Sequence, residues 1–390
     1  MIKEIASKTR IIQMNLRKMK DIQDTLYFLS GKEKSGILIL RDPFSIPGVD
    51  LLEMQLCEKF PCKVYREIQP NPDVKTVDRI VHIMKGESLD LILGIGGGSV
   101  MDTAKAVSVV MKNGGSLEDY LVNKRKIIEK GLSLVCIPTT AGTGAEVTRF
   151  GVYTTLGNRK ITLVSELLQP DLAILIPELT YSLPPVQTAA TSFDALSHAL
   201  ETLWNKNANP YSDKIALNAA KEILQNMKGA YESSILNQTE YREGMMQAAT
   251  KAGIAFNITG TAAIHALSFP LSEKWHVPHG VACSFFFEDV WNENVKSKEV
   301  YLKLKELAES VFVDKEKEDR SVENLYSYII EIKKQMKLPF YFEDLKIAYN
   351  EKEDFPLFQS VLTDPKMSNN PISFDDGKLQ KLLRSKLNEA

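Results

Sequence analysis

The sequence predicts an α/β N-terminal domain built on a mostly parallel sheet, followed by an all-α C-terminal domain. Three observations carry that expectation. The chain has 390 residues, beyond the length at which a single hydrophobic core usually stops growing. In its first half, short β-rich runs alternate with longer helical patterns, as parallel strands joined by crossover helices require. Past Leu183-Pro184-Pro185 the strand signal disappears.

The strands are read at Gly36 to Leu40 (GILIL), Cys62 to Tyr65, Leu89 to Ile95 (LDLILGI), Leu132 to Ile137 (LSLVCI) and Leu172 to Ile176 (LAILI). Each is a near-continuous apolar run, as expected of strands covered on both faces. Pro177 closes the last one, and the Leu183 to Pro185 punctuation sets domains of residues 1–182 and 183–390. Beyond it, helical periods run through Ser192 to Trp204, Ser212 to Gly229, Thr239 to Phe256 and Tyr301 to Val311. Asp314 to Arg320 (DKEKEDR) is a solvated charged loop or helix end.

Composition excludes several function classes. With 44% apolar and 25% charged residues and a net charge of -2, the chain has no electrostatic case for nucleic acid or an anionic membrane. Residues Met1 to Leu26 mix charges with scattered apolar residues and lack the uninterrupted run of a signal peptide or membrane span. A cytoplasmic location follows. The four cysteines, Cys57, Cys62, Cys136 and Cys283, lack metal-type spacing and are read as reduced packing residues.

After the strand ending at Ile95 comes Gly96-Gly97-Gly98-Ser99, and then a helical pattern over Val100 to Val110. Glycines let a backbone approach a pyrophosphate, and the helix start favours its negative charge. A purely structural turn would read the same way. A second small-residue loop, Pro138 to Thr148, follows another strand, and open α/β sheets bind ligands outside the carboxyl ends of their strands. The hydroxyls of Thr139 and Thr140 are therefore candidate contacts to a dinucleotide, or loop-stabilising groups. Asp42, just past the first strand, is placed to accept from ribose hydroxyls, which favours NAD(H) over NADP(H); the adjacent Arg41 argues the other way.

Four of the five histidines lie between residues 198 and 279. Asp194 and His198, four apart on a helix, share one face. His265 and His279 flank a segment divided by Pro270 and Pro278, so both can return to one point. One carboxylate and three imidazoles suit Fe(II) or Zn(II) and leave a position open for a substrate oxygen. Histidines buried within a helical core are the alternative.

Taken together, Gly96 to Lys105 (GGGSVMDTAK), Pro138 to Thr148 (PTTAGTGAEVT), Asp194 to Glu201 (DALSHALE) and the His265 to Gly280 segment resemble the iron-containing alcohol dehydrogenases. The resemblance implies the dehydroquinate synthase-like fold, with a dinucleotide-binding N-terminal domain, a helical metal-binding C-terminal domain and a cleft holding both cofactors. It implies Asp194, His198, His265 and His279 as metal ligands. Gly96, Gly97, Gly98 and Ser99 become the pyrophosphate cradle. Asn71, Thr139, Thr140 and Lys160 line the cofactor site, and Asp42 recognises the ribose. Asp102 orders the glycine turn.

Two departures stand out. Phe269 occupies a position where many members of that family carry a further histidine, and Leu271-Ser272-Glu273 replaces their glycine turn. His276 is the candidate substitute for proton delivery. The His265 to Leu271 pattern, Trp204 to Pro210 and Met367 to Pro371 resemble the phosphonoacetaldehyde reductase branch. That resemblance gives Arg149 and Lys160 a use in holding a phosphonate, Arg by a bidentate fork; salt bridging is the alternative. The implied reaction is hydride transfer between nicotinamide and a small aldehyde or primary alcohol, with the metal as Lewis acid. A metal- and NAD-dependent lyase of the dehydroquinate synthase type, or a non-catalytic ligand-binding relative, are the competing functions. A small-molecule partner is implied, and a homo-oligomer is compatible with the sequence.

Overall fold

The computed structural model describes residues 7–30, 36–236 and 239–387. Its residues cluster into two compact units, Met1–Leu183 and Pro184–Ala390.

The first unit holds a six-stranded, wholly parallel sheet. Its strands are β1 (Arg10–Gln13), β2 (Ile37–Arg41), β3 (Cys62–Tyr65), β4 (Leu91–Gly96), β5 (Ser133–Pro138) and β8 (Leu172–Leu175), while β6 (Phe150–Thr154) and β7 (Lys160–Val164) form a separate antiparallel hairpin. Strand order across the sheet is β1-β8-β5-β4-β2-β3. The helices are α1 (Met19–Ser30), α2 (Pro47–Lys59), α3 (Val74–Ile83), α4 (Gly98–Asn113) and α5 (Leu117–Leu121).

Both faces of the sheet are covered, which is why its strands are apolar without alternation. Ile37 and Ile39 of β2 pack with Val49, Leu52 and Leu56 of α2, while Leu38 and Leu40 pack with Val77 of α3 and Val107 of α4. Burying one such side chain contributes roughly 1.5–3 kcal/mol. Two elements differ from the sequence reading. The edge strand β1 reads RIIQ, only four residues with two polar ends, too short for periodicity to register. In the hairpin, β7 has no fully buried position, so it lacks an apolar run.

The topology places a site. From β2 the chain passes through α2 to β3 on one side; from β4 it passes through α4 to β5 on the other. The carboxyl ends of β2 and β4, paired at Arg41 and Ile95, thus flank the switch point at which such sheets bind ligands. Asp42 and Gly97 follow directly.

The second unit is entirely helical among its described residues. It comprises α6 (Pro185–Trp204), α7 (Pro210–Leu236), α8 (Glu240–Thr259), α9 (Ala263–Lys274), α10 (His279–Phe285), α11 (Phe287–Asn294), α12 (Lys298–Val311), α13 (Val322–Gln335), α14 (Glu351–Ser360), α15 (Pro365–Asn369) and α16 (Asp376–Ser385). The central helix, α6, is buried at nearly every position from Thr188 onward, because α7, α8 and α10 all pack on it. A helix enclosed in this way must find internal partners for its polar residues. Among the described residues no single helix is long and apolar enough to cross a membrane.

Candidate functional site

In the second unit, α6 carries Asp194 and His198 one turn apart, α9 carries His265, and α10 begins with His279. Oδ1 of Asp194 lies 3.5 Å from Nε2 of His265, 3.6 Å from Nε2 of His279 and 3.9 Å from Nε2 of His198. The rings are ordered too: His198 stacks between Phe256, at 4.1 Å, and His265, at 4.4 Å. Each of the three histidines thus lies within 4 Å of Asp194 Oδ1, although the tightest group of ligand atoms joins Asp194, His265 and His279 with Cys283 and leaves His198 outside it. Asp194 and His265 are almost wholly buried, yet Asp194 Oδ1 and His265 Nε2 have no hydrogen-bond partner. Buried polar atoms left in that condition cost free energy unless something fills the gap. Burial pushes the Asp194 carboxyl up, but His198, His279 and His265 outweigh that and hold it well below the usual carboxylate range. A carboxylate kept ionised among imidazoles is a donor set fitted to a divalent transition metal.

Two residues join this cluster that the sequence reading did not assign to it. Nδ1 of His265 lies 2.6 Å from Oε2 of Glu201, whose oxygens also accept from the backbone N–H groups of Ala262, at 2.8 Å, and Ile264, at 2.5 Å. A fully buried glutamate thus fixes the orientation of the His265 ring, the arrangement that tunes metal-binding histidines. Its signal was its place seven residues after Asp194, on the same face of α6. Cys283, read as packing, follows His279 by four residues in α10. Its Sγ is 3.8 Å from His279 Nε2, and it groups with Asp194, His265 and His279 as a possible ligand set. Burial pushes this thiol's pKa up. His276 stays outside the cluster, exposed in the turn after α9 with left-handed backbone, φ 55°.

In the first unit the glycine run separates into two roles. A Cβ on Gly96 would come within 2.5 Å of Val100, and one on Gly98 within 2.8 Å of Thr143, so those two glycines are required by packing. At Gly97 the nearest atom would be 3.4 Å away, on Thr140. Its φ of -79° suits any residue, so neither packing nor backbone demands a glycine there. Gly97 caps α4, a helix of 16 residues whose amino end attracts anions. The Oγ1 of Thr140 beside it is buried without a hydrogen-bond partner. These features fit a bound pyrophosphate.

The other predicted cofactor residues gather nearby. Asn71, with φ 60°, donates from its backbone N–H to Ser99 Oγ at 3.2 Å and accepts from Lys160 Nζ at 2.8 Å. The backbone N–H of Thr139 donates to the Gly96 carbonyl at 3.0 Å. Asp42 sits at the end of β2, its carboxylate accepting from the Phe44 N–H. Arg41 points elsewhere: buried, it donates to Asp50 at 2.6 Å, to Glu53 at 3.1 Å and to the Phe44 carbonyl at 2.5 Å. Arg149 donates to Glu166 at 2.6 Å and lies over the Phe150 ring.

Asp102 requires a correction. Rather than ordering the glycine turn, its carboxylate accepts from the Val152 N–H at 3.0 Å and its carbonyl from the Tyr153 hydroxyl at 2.9 Å. Projecting from the second turn of α4, it ties that helix to the hairpin.

Family models match both halves of the chain. Residues 18–177 match the family model for iron-containing alcohol dehydrogenase, and residues 188–387 match the C-terminal model of the same family. The chain is 37% identical over 249 residues to long-chain-alcohol dehydrogenase 1 of Geobacillus thermodenitrificans, a match spanning 63% of this chain and 62% of that one. It is 37% identical over 224 residues to the sulfoacetaldehyde reductase of Bilophila wadsworthia, spanning 57% of each. Each match thus covers less than two thirds of that relative's length. The structure of a sulfoacetaldehyde reductase from Bifidobacterium kashiwanohense in complex with NAD+ superposes with a TM-score of 0.86 at 29% identity, covering 99% of both chains.

Proposed function

The chain belongs to the iron-containing alcohol dehydrogenase family, and from that premise we propose that it is a metal-dependent, NAD(H)-linked reductase of short aldehydes. The observation that carries this reading is the convergence of three imidazole nitrogens on Asp194 Oδ1, with Asp194 and His265 both holding unpartnered buried atoms there. Asp194, His198, His265 and His279 hold the ion. When bound, the ion supplies Lewis-acid polarisation of the carbonyl oxygen and NADH supplies the hydride.

The chain's own residues do the rest. Glu201 keeps Nε2 of His265 aimed at the centre by engaging Nδ1. Gly97 and the amino end of α4 receive the pyrophosphate, and Asn71, Ser99, Thr139, Thr140 and Lys160 line that cradle. Asp42 accepts from the ribose hydroxyls. Arg41, spent on Asp50, Glu53 and Phe44, offers nothing to a 2′-phosphate, so NAD(H) is favoured over NADP(H). The balance is aldehyde plus NADH plus one proton giving primary alcohol plus NAD+. Phe269 carries no transferable proton, so the proton enters from solvent.

The substrate we infer is a two-carbon aldehyde with an anionic head, the class to which phosphonoacetaldehyde and the sulfoacetaldehyde of the two named relatives belong. Purified protein loaded with Fe(II) or Zn(II) is expected to oxidise NADH steadily with such aldehydes and to use NADPH less well. A metal-loaded protein that consumes no NADH with any aldehyde would overturn the reading; a lyase that regenerates its own NAD would behave in that way.

A further inference from the structure

Phe269 lies four residues after His265 in α9, hence one turn along the same face. Lys366 Nζ stands 4.3 Å from the centre of the Phe269 ring. The Lys366 side chain is only 16% exposed, and its contact with Asp364 is long, 3.6 Å. Burial lowers its pKa, and Glu201, the anchor of His265, is among the charges that oppose this. Lys366 is thus a largely buried cation set against the residue one turn beyond His265.

What brings it there is a clasp of asparagines. Asn369 Nδ2 donates to the Thr261 carbonyl at 2.9 Å, and Asn369 Oδ1 accepts from Asn207 at 3.0 Å. The Asn369 carbonyl accepts from the Lys206 N–H at 2.9 Å, and Asn205 donates to the Gly260 carbonyl at 3.1 Å. Behind them the buried amides of Asn370 and Asn294 exchange two hydrogen bonds of 2.8 and 2.9 Å. The segments around Asn207 and Asn369, 162 residues apart, are thereby locked to the turn that precedes α9. This pins α15, and Lys366 with it, against the Phe269 face. Three of these bonds are made by Asn369, the last residue of α15.

The geometry points to Lys366 as the residue that recognises the substrate's anionic head, with Phe269 as the apolar wall along the two-carbon chain. One helical turn, about 5.4 Å, separates the level of His265 from that of Phe269, so the ring that Lys366 contacts stands one turn from a histidine of the cluster. Arg149 and Lys160, the cations first considered for this role, contact Glu166 and Asn71, and Lys366 contacts Asp364 and the Phe269 ring. This inference rests on the aldehyde-reductase reading above and adds to it the residue that selects the substrate.

The test compares kcat/KM for phosphonoacetaldehyde, sulfoacetaldehyde and uncharged propanal in metal-loaded wild type, Lys366→Met and Lys366→Arg. The expected result is a wild-type preference for an anionic aldehyde, a drop in the anionic-to-neutral ratio of about tenfold or more in Lys366→Met, carried by KM, and substantial recovery in Lys366→Arg. The larger drop between the two anions identifies the head group. A wild type that reduces propanal as well as either anion, or a Lys366→Met ratio equal to wild type, overturns the role of Lys366 while leaving the reductase reading standing. No turnover of any aldehyde overturns the reductase reading itself. Should Lys366→Met fail to fold, competitive inhibition of wild type and Lys366→Arg by ethylphosphonate and ethanesulfonate replaces it. Inhibition by neither anion counts against the proposal.

Discussion

Glu201 and His265, 64 positions apart in the chain, are joined by a buried contact of 2.6 Å between Oε2 and Nδ1. The same carboxylate accepts the N–H groups of Ala262 and Ile264, so one side chain both starts α9 and aims its histidine. Orientation and local folding are coupled through Glu201.

Glu201→Gln should therefore weaken metal binding about 10–100-fold, the usual effect of losing a histidine's outer partner. Competition against a chromophoric chelator measures it. Affinity within a factor of two of wild type would show that His265 is aimed by packing alone.

Asp194→Ala removes the carboxylate on which three imidazoles converge. Metal content after dialysis and aldehyde-dependent NADH oxidation are expected to fall together to background. Chelation of the wild type should abolish activity, and readdition of a divalent ion should restore it. Full turnover in a metal-free Asp194→Ala protein would disprove the proposed centre.

The neighbouring glycines should separate stability from cofactor binding. Gly96→Ala drives a methyl group into Val100 and is expected to destabilise the fold by about 1–3 kcal/mol, read as a lowered Tm. Gly97→Ala meets no such contact, so Tm should stay close to wild type while NADH affinity, followed by fluorescence titration, falls about tenfold. Unaltered NADH binding in Gly97→Ala would remove the pyrophosphate from that turn.

Arg41→Ala tests whether this arginine reads the cofactor or holds the fold. Its loss leaves Glu53, 11% exposed at its side chain, with only the more exposed Arg66 as partner. Breaking a buried pair on one side costs roughly 3–5 kcal/mol, and the lower end applies here because Arg66 remains. A clear fall in the denaturant midpoint with little change in the NADH to NADPH ratio is expected. The reverse pattern would assign Arg41 to the 2′-phosphate.

Much of the first unit was legible because a parallel strand covered on both faces must be apolar along its length, as Ile37 to Leu40 and Leu91 to Leu93 are. The RIIQ edge strand and the partly exposed β7 carry no such signal; they pair because β8 and β6 lie beside them. Asp194 and His198 could be placed on one helix face by spacing alone. Cys283 showed the same four-residue spacing from His279, but only α6 and α9 around it make that spacing meaningful.

By itself the sequence determined what depends on neighbouring residues: two domains of different class, a glycine turn between strand and helix, and a set of residues able to bind metal. Tertiary structure alone decided what depends on contacts between distant segments. It separated the packing glycines from Gly97, turned Arg41 inward, moved Asp102 to the hairpin, set Glu201 behind His265 and carried Lys366 to Phe269. The physical reason is that helix and strand periods are written in residues a few positions apart, whereas the point at which α6, α9, α10 and α15 meet is set by how whole helices pack.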